Sequence, residues 1–283
     1  MNNKMFCLTV CLLFFFFITK AQQPSFQSLK NSYGLELYSL RFEFKKDVPS
    51  TLAAIKKMGI TEIEGGSLYG LTPQEFKSLL EKEGLHMTSM LLDYNRYKQD
   101  IKSVIDEANF FGVKQVGFAW IPHNGTFSKA DADSAIVVMN DVGSKLKAAG
   151  LTFFYHPHGY EFMPTANGTL FDYIAAQTKD VHFQLDVFWA VRGGVNPVAL
   201  LEKYKNRFIS LHVKDLEKGV ATGDSTGTAP DSTSVVVGKG QVNWPEVLKA
   251  ALAAGIQHYY IEDEAENAID QIPESLIYLN NLR

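Results

Sequence analysis

Four apolar runs in this chain each lead onto side chains that can hold a metal or move a proton. FQLD ends on Asp186, ISLH on His212 and HYYIE on Glu262, while LTFFYHPHGYE carries His156, His158 and Glu161. Each run is short, aromatic-rich or β-branched and bounded by turn residues, as buried parallel strands are. Carboxylates and imidazoles delivered by the carboxyl ends of successive strands describe a metal site at the top of a parallel barrel. The donor types suit Mn²⁺, Mg²⁺, Co²⁺ or Zn²⁺ with open positions, and not the all-thiolate structural zinc class.

The elements that must position these residues recur regularly. Helix-like segments end in Gly59, Gly84, Gly112, Gly150 and Gly255, each followed by an apolar residue and a strand-like run. A glycine just past a helix takes the left-handed conformation that closes it and turns the chain into the next strand. Strands are predicted at 35–39, 61–65, 86–92, 114–119, 152–156, 182–186, 208–212 and 258–262. Helices are predicted at 47–58, 73–83, 98–111, 130–149, 168–178, 196–206, 243–254 and 270–282, with Thr72, Pro73 and Glu75 forming one compact helix start. This alternation predicts an α/β protein, a single-domain (β/α)₈ TIM barrel over residues 34–283. A doubly wound open sheet would carry a Gly-rich nucleotide loop after the first strand, and YSLRFEF has none. The polar stretch at 219–234 falls after the seventh strand, where it either covers the pocket or forms a loose surface insertion; 236–246 reads as more ordered.

Residues 1–21 read as a signal peptide: Lys4 in the n-region, an apolar FCLTVCLLFFFFI core and a cleavage site after Ala21, with a linker over 22–33. The two cysteines, Cys7 and Cys11, both lie in that leader, so the mature chain is expected to be cysteine-free and exported, to the periplasm. The net charge of −4 favours neither nucleic acid nor an anionic membrane surface. After signal cleavage no membrane partner is expected, and homo-oligomerisation stays open.

The chain resembles the xylose isomerase-like TIM-barrel superfamily, the sugar phosphate isomerases/epimerases, over nearly all of 34–283. The matching pieces are LELYSLR, IEGG, YHPHGYEF, LDVFWA, LHVKD, GKGQVNWPEVLKAALAAG and YYIED, specific in their order and spacing. The resemblance implies a divalent ion, Mn²⁺ first, held by Asp186, His212 and Glu262 and by one residue from strand 5. There the family commonly has a glutamate, whereas this chain aligns His156, with Glu161 five residues on; either is a candidate.

The implied chemistry is proton abstraction beside a carbonyl through a metal-stabilised enediolate, with Glu262, His156 and Glu161 as catalytic candidates. Two carboxylates would serve an isomerase or epimerase. Glu262 paired with an imidazole would instead serve a lyase or dehydratase acting on a 3-keto-sugar or keto-glycoside. Substrate contacts are expected from His158, Lys214, Glu64, Tyr38, Trp120, Trp189 and Arg41, with His123 and Phe188 beside them. Lys214 reads equally as a surface lysine, and Glu64 as a structural ion pair. Export, and the lack of an Arg/Lys cluster or phosphate nest, point to an unphosphorylated carbohydrate. A catalytically silent carbohydrate-binding protein would keep the aromatics and lose the ligands. An apurinic endonuclease would need further histidines and a basic face that Glu64 and Asp93 do not supply.

Overall fold

The computed structural model describes residues 25–283. The expected signal peptide over 1–21 lies outside the described residues. Eight parallel strands close into a barrel: β1 (Gly34–Glu36), β2 (Glu62–Gly65), β3 (His86–Leu91), β4 (Gln115–Phe118), β5 (Thr152–Tyr155), β6 (His182–Asp186), β7 (Phe208–Val213) and β8 (His258–Ile261). They follow one another in chain order, and β1 closes the ring on β8 with Leu35 opposite Ile261. Around them run α1 (Val48–Lys57), α2 (Pro73–Glu83), α3 (Ile101–Phe111), α4 (Lys129–Ala148), α5 (Leu170–Gln177), α6 (Pro197–Lys203), α7 (Trp244–Ala254) and α8 (Ala268–Asn280). Together they make a (β/α)₈ barrel, and no described helix is long and apolar enough to cross a membrane.

Local chemistry sets the boundaries. Side chains of Asp47, Thr72, Ser128 and Thr169 accept the first free helical N–H groups of α1, α2, α4 and α5. The five predicted glycine stops all adopt positive φ, from 65° at Gly84 to 86° at Gly59. Strand residues then alternate between two faces. Leu185 and Leu211 belong to the continuous apolar core, whereas Gln184, Asp186, Ser210 and His212 are buried polar residues on the inner side.

Three predictions need correction. The first strand stops at Glu36, because Leu37–Leu40 winds into a 3₁₀ turn and Arg41–Phe44 into a helical turn. The helix predicted at 98–111 is broken at Asp100, whose φ of −151° ends the short helix Tyr94–Gln99 while its carboxylate caps α3 at Ser103 N–H, 3.0 Å away. The lead-in predicted as linker packs down: Leu29 and Tyr33 are buried, and Asn31 N–H donates to the Asn280 side chain at 2.8 Å.

The long segment after β7 is tied to the barrel. Asp215–Leu216 pairs with Ser234–Val235. Arg41 bonds Asp231 at 2.6 Å, and Arg192 bonds Asp224 at 3.0 Å. The buried Asp215 carboxylate collects the N–H groups of Gly238, Gly240 and Val242 and the Trp244 indole N–H, which orders 236–246.

Candidate active site and metal centre

At the carboxyl end of the barrel, β5, β6 and β7 bring His156, Asp186 and His212 together, all buried, with ligand atoms within 4.8 Å of one another. His156 Nε2 lies 3.7 Å and His212 Nδ1 3.8 Å from Asp186 Oδ2. Donors bonded at about 2.1 Å to one ion stand roughly 3.0–3.4 Å apart, so slight contraction completes such a shell. Two of these atoms, His156 Nε2 and Asp186 Oδ2, have no hydrogen-bond partner among the described residues although buried. Uncompensated burial of that kind is costly, and a cation removes the cost. The residues fit a divalent ion. Asp186 also serves as a helix cap: its Oδ1 accepts Trp189 N–H at 2.9 Å and starts Val187–Arg192, which leaves Oδ2 for the cluster.

Both imidazoles are aimed from beneath by one hydrogen-bond chain. His156 Nδ1 meets Gln184 Oε1 at 2.9 Å, Gln184 Nε2 donates to Glu64 at 2.9 Å, and Glu64 Oε1 meets His212 Nε2 at 2.5 Å. Ser89 donates its hydroxyl to the same carboxylate. With Nδ1 of His156 held in this way its Nε2 faces Asp186, while His212, held at Nε2, turns its Nδ1 between Asp186 and Glu262. Burial, then neighbouring His212, lowers the His156 pKa well below the usual imidazole range, so its lone pair is available. Glu64, a predicted sugar contact, is thus a fully buried support beneath the cluster.

Carboxylates gather on the β1–β8 side. Glu262 Oε2 lies 2.6 Å from His212 Nδ1, and its Oε1 accepts from Lys214 at 3.1 Å. Burial alone would raise the Glu262 pKa, but Lys214 and His212 overcome it and hold the carboxyl well below the ordinary range. Lys214 is completely buried between Glu262, Glu264 at 3.2 Å and the rings of Phe188 and Trp189. Its ammonium fixes Glu262 and does not reach the cavity as a free surface charge. Glu36, next along β1 from the Leu35–Ile261 pair, stands beside Glu262 with Oε2 unpartnered. Burial, then the Glu262 charge, raises the Glu36 pKa well above the ordinary range. A carboxyl whose ionised form is favoured thus neighbours one whose protonated form is favoured.

A cavity of about 270 Å³ opens over these groups, lined by Glu36, Tyr38, Leu91, Ala119, His156, His158, His212, Glu262 and Glu264. Glu161 is not at the cluster. A 3₁₀ turn at Tyr160–Phe162 directs its carboxylate to the Tyr155 hydroxyl and the His158 N–H, and burial pushes its pKa up to about 7. The strand-5 donor brought to the cluster is His156. His158 sits between Trp120 and Trp189, at 5.7 and 5.1 Å between ring centres, with its pKa lowered to about 4 by burial and Lys214. Phe188 and Trp189 are buried against Lys214, while Trp120 and Tyr38 remain exposed. Arg41 is spent on Asp231 and the Glu264 carbonyl.

Sequence reasoning passed over Glu36, Gln184, Ser89 and Glu264. Glu36 had a signal: as the second residue of LELYSL it alternates with Leu35 and Leu37 and points inward at the strand end. Gln184 and Ser89 had only their even spacing from Asp186 and Leu91.

A family model described as xylose isomerase-like TIM barrel matches residues 52–282. An inosose dehydratase of Geobacillus kaustophilus is 22% identical over 193 residues, 60% of this chain, and the chain spans 62% of that curated relative's length. Among solved structures, a sugar phosphate isomerase/epimerase of Parabacteroides distasonis is 26% identical with a TM-score of 0.71, over 88% of this chain and 93% of that one. A xylose isomerase-like TIM-barrel protein of Mycobacterium smegmatis, in complex with magnesium, shares the fold at 18% identity and a TM-score of 0.62, over 83% of this chain and 88% of that one. This chain belongs to the xylose isomerase-like TIM-barrel family.

Proposed function

We propose that the protein is a metal-dependent isomerase of an unphosphorylated keto-sugar, abstracting a proton beside the carbonyl. The observation that carries this reading is the buried His156–Asp186–His212 cluster with Glu262 beside it, all but Asp186 lining one cavity. A divalent ion held there, Mn²⁺ by our reading and magnesium or zinc as alternatives, would polarise the carbonyl and offset the charge of the enediolate. Glu262, kept ionised by Lys214, takes the proton. His156 and His212, fixed through Gln184 and Glu64, would hold the ion beside it. The carboxylates stand together on the β1–β8 side, so the proton leaves and returns on one face. That suits a shift between neighbouring carbons better than inversion through opposed bases.

A second reading is elimination, as in a dehydratase or lyase. It is favoured by Glu36: a protonated carboxyl beside Glu262 can hand its proton to a departing oxygen on the same face. The name of the Geobacillus relative supports it in kind. The cavity lining holds carboxylates and imidazoles and no lysine or arginine, which disfavours a phosphate dianion. We further propose export to the periplasm, where free sugars and glycosides are met.

The test is metal content together with incubation of the wild type and Glu262→Gln in D₂O with free and 3-keto sugars. Deuterium entering a substrate carbon only when Glu262 is intact supports proton abstraction; recovered isomers mean isomerase, unsaturated products mean lyase. Absence of bound metal and of exchange with every sugar overturns both and leaves a binding protein.

A further inference from the structure

The cavity of about 270 Å³ lies below the ~300–1,000 Å³ typical of pockets for larger ligands, so it takes one sugar ring and little more. Its mouth is built differently from its floor. Two of the few large apolar side chains exposed on the described surface are there: Tyr38 at 51% and Trp120 at 38% exposure. Tyr38 lines the cavity from the end of β1, and Trp120 follows the cavity residue Ala119 at the end of β4.

Neither ring is loose. The Arg41 guanidinium lies over the Tyr38 ring, 4.6 Å from its centre, and is itself fixed by Asp231 and the Glu264 carbonyl. Trp120 stacks on His123 at 5.1 Å and 22°, and Tyr160 supports it edge-on at 4.9 Å. Gly227 of the long loop comes so close that a Cβ there would strike both Trp120 and Tyr160. A rigid aromatic face beside a small polar cavity offers a stacking platform for the C–H face of a sugar ring. Directly inside Trp120, His158 presents a buried Nδ1 without a partner among the described residues.

We infer that the substrate is a glycoside of two rings. The reacting ring fills the cavity, and the second hexopyranose packs its C–H face on Trp120 at the mouth, with His158 Nδ1 hydrogen-bonding at the junction. This assignment rests on the carbohydrate reading above but not on its chemistry, since the second ring sits outside the reacting groups. Aromatic stacking of this kind contributes a factor of roughly two to ten per ring in affinity.

The experiment is calorimetric titration of the metal-loaded wild type, Trp120→Ala, Tyr38→Ala and Trp120→Phe with glucose, maltose and cellobiose, none of which need react. We expect at least one disaccharide to bind about tenfold or more tightly than glucose in the wild type. The disaccharide-to-glucose affinity ratio should drop two- to tenfold in Trp120→Ala and be largely kept in Trp120→Phe, whereas Tyr38→Ala, at the cavity itself, should weaken one ring and two alike. Thermal melting reports that the variants are folded. Equal affinity for one ring and two, no measurable disaccharide binding, or a ratio unmoved by Trp120→Ala overturns the inference. Failure of deuterium exchange with retained disaccharide preference would instead overturn the proposed reaction alone.

Discussion

Replacing Gln184 by leucine separates the support of the metal cluster from the cluster itself. Gln184 touches no proposed ligand atom that faces the ion, yet it is the single link between His156 Nδ1 and the Glu64 carboxylate that holds His212. Leucine of similar bulk leaves the His156 Nδ1 hydrogen without its acceptor and Glu64 without one donor. The imidazole can then rotate or present the other tautomer, and its Nε2 is no longer fixed 3.7 Å from Asp186 Oδ2. Loss of such outer contacts weakens metal binding by about 10–100-fold, or 1.4–2.7 kcal/mol. Folding should lose a further ~1–3 kcal/mol for the unsatisfied buried donor. The assay is competition with a chromogenic chelator for Mn²⁺ or Zn²⁺, alongside thermal melting of the metal-free proteins. A folded Gln184→Leu variant whose Kd stays within twofold of wild type would refute the idea that this chain orients the ligands.

Other consequences follow from groups near the site. Lys214→Met leaves Glu262 and Glu264 buried without their counter-ion, so stability should fall by about 3–5 kcal/mol in denaturant titrations. In whatever remains folded, the acidic limb of the pH–rate profile should move upward, because Lys214 helps hold the Glu262 carboxyl low. Glu161 is raised from 4.5 to about 7 on folding, so the native state keeps its proton more tightly than the unfolded chain. Its contribution is fully present below pH 4.5 and lost by pH 7, a fall of about 3 kcal/mol that Glu161→Gln should abolish in melts across that range. Gly240→Ala would drive a Cβ into the Asp215 carboxyl and the Leu216 carbonyl, costing ~1–3 kcal/mol and freeing 236–246 to limited proteolysis.

The barrel was legible because its periodicities and glycine stops agree along the described chain, and the His156–Asp186–His212 cluster because a strand that ends on a charged or imidazole side chain is conspicuous. What escaped was set by contacts between distant strands. Glu161 reads as near His156, five residues away, but the 3₁₀ turn carries it to Tyr155 and the His158 N–H. Lys214 reads as a surface or substrate lysine, and only the register of β7 against β8 reveals that it is buried under Glu262. Gln184 has a neutral amide with no charge to draw notice, and its role depends on Glu64, 120 residues earlier. Glu36 reads as an early residue of a strand over 35–39, whereas β1 ends on it.

Where β1 meets β8 the two ends of the chain are joined, and Arg41 stitches that seam to Glu264, 223 residues away, and to Asp231, 190 away. The three residues of the metal cluster come from consecutive strands, β5 to β7, whereas the Glu36–Glu262 pair exists only across the seam. The candidate ion site and the candidate proton-transfer pair are therefore carried by different parts of the ring. A barrel opened at this edge would lose the Glu36–Glu262 pair outright while keeping the strands that carry His156, Asp186 and His212, so any proton transfer by that pair would report that the circle is complete.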